Sequence, residues 1–206
     1  MELATLKENI DQDLFTAKIS GRIALSKMRL IDQASCKTAA YLDPRYAPFY
    51  YYLGKYIHPK SLVEFGFTLG LLSSTLIRSC KSVERFLGFK EQTKEYTSQR
   101  IGRSNIRVSF KGETEYFLGF LHEDDFLAKI SPNSWDLFIL NEETVYDKHL
   151  EYLDFLWSYL KEDGLVVAEY ITRHKPAGEA FYAFCESKNR RPIVFDTRYG
   201  TGILQK

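Results

Sequence analysis

The stretch that decides the fold is SLVEFGFTLGLLSSTL, residues 61–76, in which a short apolar run gives way to glycines and then to a helical pattern. Leu62, Val63 and Phe65 are typical of a buried parallel strand, and Gly66 and Gly70 follow at its carboxyl end. In α/β proteins nucleotides bind at this kind of junction, because glycines let a ligand approach the backbone just before the positively polarised start of a helix. The glycines do not form the G-x-G-x-x-G pattern, so the sequence argues against a dinucleotide-binding oxidoreductase.

The composition indicates one globular domain with room for a small appendage. The chain has 206 residues, and its 14 Tyr and 15 Phe supply enough apolar surface for a full core. Its 28 Lys and Arg nearly balance its 27 Asp and Glu. This balance argues against binding to nucleic acid or to an anionic membrane by bulk charge, and it leaves room for a local basic patch.

Cysteine usage and hydropathy bear on the compartment. Cys36, Cys80 and Cys185 are far apart and match neither a zinc spacing nor a disulfide framework, as in a reducing cytosol. The N-terminus lacks a signal-peptide pattern, and no apolar run reaches the ~20 residues that a membrane helix needs. We therefore expect a cytoplasmic protein that does not enter a membrane.

From residue 61 onward, short β-type runs alternate with longer amphipathic runs, which is typical of a parallel sheet covered by helices. We predict strands at 61–66, 85–90, 106–111, 135–141, 164–171, 192–196 and 202–205, and helices at 71–79, 91–101, 115–130, 147–162 and 175–188. The turn at 197–201 is too short for a parallel crossover, so the last strand should run antiparallel. The prediction is a three-layer α/β sandwich with a seven-stranded, mostly parallel sheet.

The first part of the chain has a different pattern and is assigned to a separate unit, residues 1–56, before an α/β domain at 57–206. Residues 3–14 and 23–40 have helical patterns, and an aromatic run at 49–56 follows. This unit could be a lid over the carboxyl edge of the sheet or the surface of a homodimer. Ordinary packing of its aromatics onto the core is about equally well supported.

The order of elements and the spacing Glu64-x-Gly66-x-x-x-Gly70 resemble class I S-adenosylmethionine (SAM)-dependent methyltransferases, within them the small-molecule O-methyltransferases. The segments that carry the resemblance are HPKSLVEFG, GFKEQ, KGETEYF, WDLFILNEETVYD, EDGLVVAEY and GTGILQK, in that order between residues 57 and 206. It implies a Rossmann-like methyltransferase sandwich, SAM as cofactor, and a small-molecule acceptor with a hydroxyl or an amine.

The resemblance also implies positions for the cofactor. Backbone at Gly66 and Gly70 would lie against its methionine half, with Thr68 and Ser73 near its carboxylate and Glu64 near its ammonium. Further expected contacts are Gly112 and Glu113 near the adenine edge, Glu91 near the ribose, and Asn141. An ordinary turn, with Glu113 or Thr114 capping a helix, is an equally good interpretation of the sequence around Gly112.

Two positions depart from the family pattern. The second strand usually ends in an acidic residue that accepts hydrogen bonds from the ribose, whereas this chain has Lys90, which cannot accept them, followed by Glu91. Metal-assisted members carry acidic ligands after the fourth and fifth strands, where this chain has Asn141 and then Glu169 with Tyr170. Asn141, Glu142, Glu143 and Glu169 still supply oxygen ligands that could hold a hard metal ion. We favour the interpretation as a polar rim and expect no divalent metal.

For the chemistry, we predict His174 as the general base, with Glu143 and Tyr146 as its neighbours. His174 follows the fifth predicted strand, at the edge where the cofactor should bind, whereas His149 lies within a predicted helix. An exposed loop histidine without a role is the plainer alternative. The departures at Lys90 and at the metal positions also support a second hypothesis, a catalytically silent methyltransferase-like module that binds a ligand or a partner.

Overall fold

The computed structural model describes residues 2–20, 47–92 and 94–206. In chain order the elements are α1 (Leu3–Ser20), α2 (Ala47–Ile57), β1 (Ser61–Phe65), α3 (Leu71–Ser79), β2 (Arg85–Lys90), α4 (Thr97–Ser109), β3 (Glu113–Leu118), α5 (Asp124–Leu127), β4 (Trp135–Leu140), α6 (Tyr146–Tyr159), β5 (Leu160–Ala168), α7 (Lys175–Ser187), β6 (Ile193–Phe195) and β7 (Thr201–Gln205). The helix predicted at 3–14 lies within α1, and the one predicted at 23–40 falls outside the described residues.

One seven-stranded sheet organises the chain, in the order β3-β2-β1-β4-β5-β7-β6. The first five of these strands are mutually parallel, and β7 pairs antiparallel with both β5 and β6. The predicted three-layer sandwich with an antiparallel last strand is therefore confirmed. Strand order reverses between β1 and β4, and ligands of open α/β sheets bind at the carboxyl edge beside such a reversal.

Two hydrophobic cores cover the two faces of the sheet. On one face, Leu62 and Ile139 pack with residues of α1, α2 and α3, including Ile10, Phe49 and Leu53. On the other face, the second core joins side chains of α5, α6 and α7, listed here with their strand partners: Phe126, Leu153, Leu156, Phe181, Phe184, Val63, Phe65 and Val166. Side chains alternate between the two faces along each strand, so both faces are buried.

The prediction for the third strand was wrong. Residues 106–111 form the end of α4 and its exit, whereas Glu113–Leu118, placed partly in a predicted helix, is β3. β3 lies at the edge of the sheet, and its first two residues are exposed, so it lacks the apolar run that marks a buried strand. In α4, Ile106 is fully buried, and together with Val108 it gave the segment the β-branched residues that are typical of a strand. The helix predicted at 115–130 is reduced to the short α5.

The aromatic run after residue 48 contributes to the core. Phe49 and Tyr50 are fully buried, and α2 packs along α3. Tyr51, Tyr52 and Tyr56 are half-buried. Among the described residues, no helix has the length and apolarity to cross a membrane.

Candidate functional site at the carboxyl edge of the sheet

Glu64 is the centre of a buried polar group where β1 meets β4. It is 1% exposed, and its carboxyl accepts a hydrogen bond from Ser73 Oγ at 2.5 Å and a long one from Asn141 Nδ2 at 3.4 Å. Burial raises the pKa of Glu64 to about 7, against the lowering effect of these hydrogen bonds. The structure thus brings together three of the predicted cofactor residues, Glu64, Ser73 and Asn141.

Gly66 and Gly70 shape the loop between β1 and α3. Both have positive φ, 84° and 60°, which favours glycine. A Cβ on Gly66 would lie 2.0 Å from the backbone oxygen of Asn141, and one on Gly70 would lie 2.9 Å from the ring of Phe67. The chain's own packing therefore already requires both glycines. Thr68, in the same loop, is half-buried.

A second buried carboxyl, Glu169, follows β5 on the same face of the sheet. Its Oε1 accepts hydrogen bonds from the hydroxyls of Tyr50 and, at 2.8 Å, Thr201. Burial, with the charge of Glu64 adding to it, raises the pKa of Glu169 to about 7. Its Oε2 is buried and has no hydrogen-bond partner. Two protein hydroxyls therefore hold one oxygen of Glu169 and leave the other free.

Lys90 ends β2 as predicted, and its ammonium pairs with the carboxylate of Glu142, which follows β4. The pair extends over the end of β1, since Glu142 Cγ lies 2.9 Å from the position of a Cβ on Gly66. Glu91 is held elsewhere: its carboxylate accepts a hydrogen bond from Tyr152 at 2.5 Å and pairs with Lys148 at 3.0 Å, both on α6.

His174 and Glu143 are neighbours, as their predicted positions implied. The distance from His174 Nε2 to Glu143 Oε1 is 3.9 Å, and Glu143 is largely exposed. His174 precedes α7, and its Nδ1 is buried without a partner. His149, in the first turns of α6, is fully buried, and burial together with His174 lowers its pKa to about 4. Tyr146 is the first residue of α6.

Gly112 and Glu113 do not belong to this site. Glu113 is the first residue of β3 and lies opposite Arg85, the first residue of β2, in the strand register. Gly112 and Glu113 therefore lie at the amino edge of the sheet. Their predicted position beside the adenine edge was wrong, because the third strand was predicted several residues too early in the chain.

Unpartnered polar atoms concentrate at the carboxyl edge. The buried atoms here without hydrogen bonds include Asn141 Oδ1, Glu169 Oε2, His174 Nδ1 and both ring nitrogens of His149. Buried polar groups in proteins are nearly always hydrogen-bonded, so such a concentration indicates a place for a ligand or for ordered water. No group of three or more His, Cys, Asp or Glu side chains within residues 2–20, 47–92 and 94–206 is arranged to hold a metal ion.

Apart from the positions of Gly112, Glu113 and Glu91, sequence reasoning mainly missed which partners the site residues would have. Nothing in the local pattern indicated that Glu142 would pair with Lys90, or that Thr201 and Tyr50 would share one oxygen of Glu169. These contacts join residues 52, 32 and 119 positions apart. Only the contact of Thr201 could have been anticipated, because Thr201 begins β7, and β7 pairs with β5 next to Glu169.

Solved structures with this architecture include O-methyltransferases. The chain is 13% identical to an O-methyltransferase from Bacillus cereus in complex with S-adenosylhomocysteine (SAH), with a TM-score of 0.68 over 98% of this chain and 100% of that one. It is 12% identical to the O-methyltransferase TomG from Streptomyces achromogenes, involved in tomaymycin synthesis and in complex with SAM, with a TM-score of 0.64 over 100% and 99% of the two chains.

A third structure, a putative caffeoyl-CoA O-methyltransferase from Staphylococcus aureus, is 12% identical with a TM-score of 0.61 over 98% and 99% of the chains. No protein-family model and no curated protein sequence matches the chain. At these identities the similarity establishes the class I methyltransferase fold.

Proposed function

We propose that the protein is a SAM-dependent methyltransferase acting on a small molecule with a hydroxyl or an amine. The observation that carries the proposal is the group of unpartnered buried polar atoms at the carboxyl edge, beside the strand-order reversal. In similar folds, the structures from B. cereus and S. achromogenes are complexes with SAH and SAM. SAM supplies an electrophilic methyl group on a sulfonium.

The described residues fit the methionine half of such a cofactor. Its ammonium needs acceptors, and Asn141 Oδ1 is a buried acceptor without a donor. Glu64, hydrogen-bonded to Asn141 and carrying a raised pKa, would gain a counter-charge from a neighbouring ammonium. The loop from Gly66 to Gly70 and the Ser73 hydroxyl would border the same half.

On the ribose side, Glu142 takes the place of the missing acidic residue. Lys90 holds the Glu142 carboxylate beside the end of β2, where the ribose hydroxyls need an acceptor. Glu91, predicted for this role, is instead held by Tyr152 and Lys148. We assign the ribose contact to Glu142, with Lys90 as its positioning residue.

His174 is the residue proposed to take the acceptor's proton. Its Nε2 lies near Glu143, whose negative charge would stabilise the imidazolium that forms. Deprotonation of the acceptor would leave its oxygen or nitrogen free to attack the methyl carbon of SAM in line, with the sulfur leaving as the neutral thioether of SAH.

A catalytically silent, ligand-binding module is the alternative, and the ion pairs favour it. Lys90 forms an ion pair with Glu142, and Glu91 forms one with Lys148. The charges of these four side chains are therefore neutralised without a ligand on the ribose side. In this alternative the fold would bind a ligand or a partner without turnover.

Calorimetric titration with SAM and SAH tests the proposal. We expect both to bind, and Glu142→Gln to weaken SAH by at least about tenfold through loss of the charged acceptor. The matched control is Glu115→Gln, which breaks the Lys129–Glu115 surface pair on β3. Absence of SAM and SAH binding at millimolar concentration would refute the proposal. Binding without turnover on phenols, catechols and amines would favour the silent module.

A further inference from the structure

A cleft of about 650 Å³ opens at the amino edge of the sheet, opposite the carboxyl-edge site. It lies between the ends of α3 and α4 and the two linkers that lead from these helices into β2 and β3. We call it the amino-edge cleft. Its volume is within the range of pockets that bind small molecules.

The described residues that line the cleft include three charged side chains, and these are all basic: Arg78, Lys81 and Lys111. Arg78 Nε donates to Ser109 Oγ at 2.8 Å, which ties the end of α3 to the end of α4. Lys81 and Lys111 occupy equivalent places, because each lies two residues beyond its helix, after an extended residue. In a chain with a formal net charge of only +1, this is a concentrated positive site.

The two lysines also differ from most other lysines. Neither forms an ion pair or a side-chain hydrogen bond with a described residue, whereas Lys60 pairs with Glu84 at 3.8 Å and Lys129 with Glu115 at 2.7 Å. Among the residues that the structure describes, no carboxylate lines the cleft, so none of them neutralises these two positive charges there. An anion between them would be attracted by both.

The rest of the lining is largely apolar and partly aromatic. Tyr51 contributes one ring, and Phe110, which is 8% exposed, contributes another. The Phe110 ring lies against Gly112, where a Cβ would come within 2.2 Å of its Cζ atom. Gly112, predicted to lie near a cofactor, thus makes room for an aromatic wall of this cleft. Ile77 and Val83 add aliphatic surface.

We propose that the amino-edge cleft binds a small phosphate ester with an aromatic body, its phosphate between Lys81 and Lys111 and its ring against Phe110 and Tyr51. A compact cleft with two free lysines suits a single phosphate group better than a nucleic-acid backbone, which needs an extended basic surface. The proposal is independent of methyl transfer, because no residue of the carboxyl-edge site lines this cleft.

The test is titration of the full chain with 1-naphthyl phosphate, followed by calorimetry and by amide NMR. This probe has an aromatic body and one phosphate and does not resemble SAM. We expect submillimolar binding that weakens with added salt, and shifts at the amides of Lys81, Lys111 and Gly112 rather than of Gly66 and Gly70. Naphthol and inorganic phosphate, tested separately, should each bind more weakly.

The double variant Lys81→Gln with Lys111→Gln should weaken the probe by at least about tenfold, because two attractive charges are removed. The control is Lys94→Gln with Lys129→Gln, which removes two lysines outside the cleft. Equal loss in the control, or no binding of the probe at millimolar concentration, would overturn the proposal. So would inorganic phosphate binding as tightly as the ester, or a single-stranded RNA shifting the same amides at lower concentration.

Discussion

The two buried carboxyls should make the stability of the folded protein depend on pH near neutrality. The pKa values of Glu64 and Glu169 are raised to about 7, whereas a carboxyl in the unfolded chain titrates near pH 4.5. The folded state therefore holds more protons between these values, and stability falls as pH rises through this window. For one such group the fall is about 3 kcal/mol. Below about pH 4.5 the stabilisation is complete, and above pH 7 it is lost.

Glu169→Gln should flatten that dependence, because glutamine does not titrate and still offers an oxygen to Tyr50 and Thr201. Urea unfolding between pH 4.5 and 8 measures it. Glu84→Gln, at a side chain that is 72% exposed, should leave the slope unchanged. A Glu169→Gln protein that loses stability with pH as steeply as the wild type would contradict the prediction.

His174→Ala tests the residue proposed as the base. Once an acceptor is known, we expect kcat to fall by about 10²–10⁴-fold with unchanged SAH affinity, since the imidazole acts on the acceptor's proton. His122→Ala is the control, because His122 is 69% exposed and pairs with Glu151, away from the site. Full turnover by the His174→Ala protein would show that His174 is not the general base.

At the scale of elements, α2 is held against the end of β5 by a buried hydrogen bond from Tyr50 to Glu169 as well as by its apolar side chains. Tyr50→Phe removes the hydroxyl that donates to Glu169, and we expect a loss of about 1–3 kcal/mol in the free energy of unfolding. The loss should be larger at pH 8 than at pH 5, because the carboxyl is then charged. Tyr51→Phe, one residue along the same helix, is the control, and an equal loss there would contradict the assignment.

The helices and strands also show how much of the fold could be predicted from the sequence. Strands with both faces buried, such as β1 and β4, have continuous apolar runs and were predicted within one residue. The prediction of β3 was wrong because an edge strand needs few apolar residues. The predicted position of Gly112 and Glu113 depended on that strand and was therefore wrong as well. Periodicity indicates which face a residue occupies, so Glu64, Ser73 and Asn141 could be placed together. It does not indicate long-range partners, and the Lys90–Glu142 pair came only from the structure.

At the scale of the whole molecule, we predict that residues 57–206 do not form a stable fold alone. Leu6, Ile10, Phe49 and Leu53 are almost completely buried in the core that covers one face of the sheet. Deleting residues 1–56 would expose that face. The truncated chain should bind a hydrophobic dye and lack cooperative thermal unfolding, whereas a cooperative transition like that of the full chain would contradict this. The homodimer expected from the aromatic run remains a prediction, for light scattering to test.

The carboxyls Glu64 and Glu169 also make the site a reservoir of protons near neutrality. A cationic ligand placed beside them would stabilise their ionised forms and so expel protons into the solution. The heat measured on binding would then include the ionisation enthalpy of the buffer. Titrations in phosphate and in Tris at pH 7 should therefore give different apparent enthalpies. Their difference, divided by the difference between the ionisation enthalpies of the two buffers, gives the number of protons released.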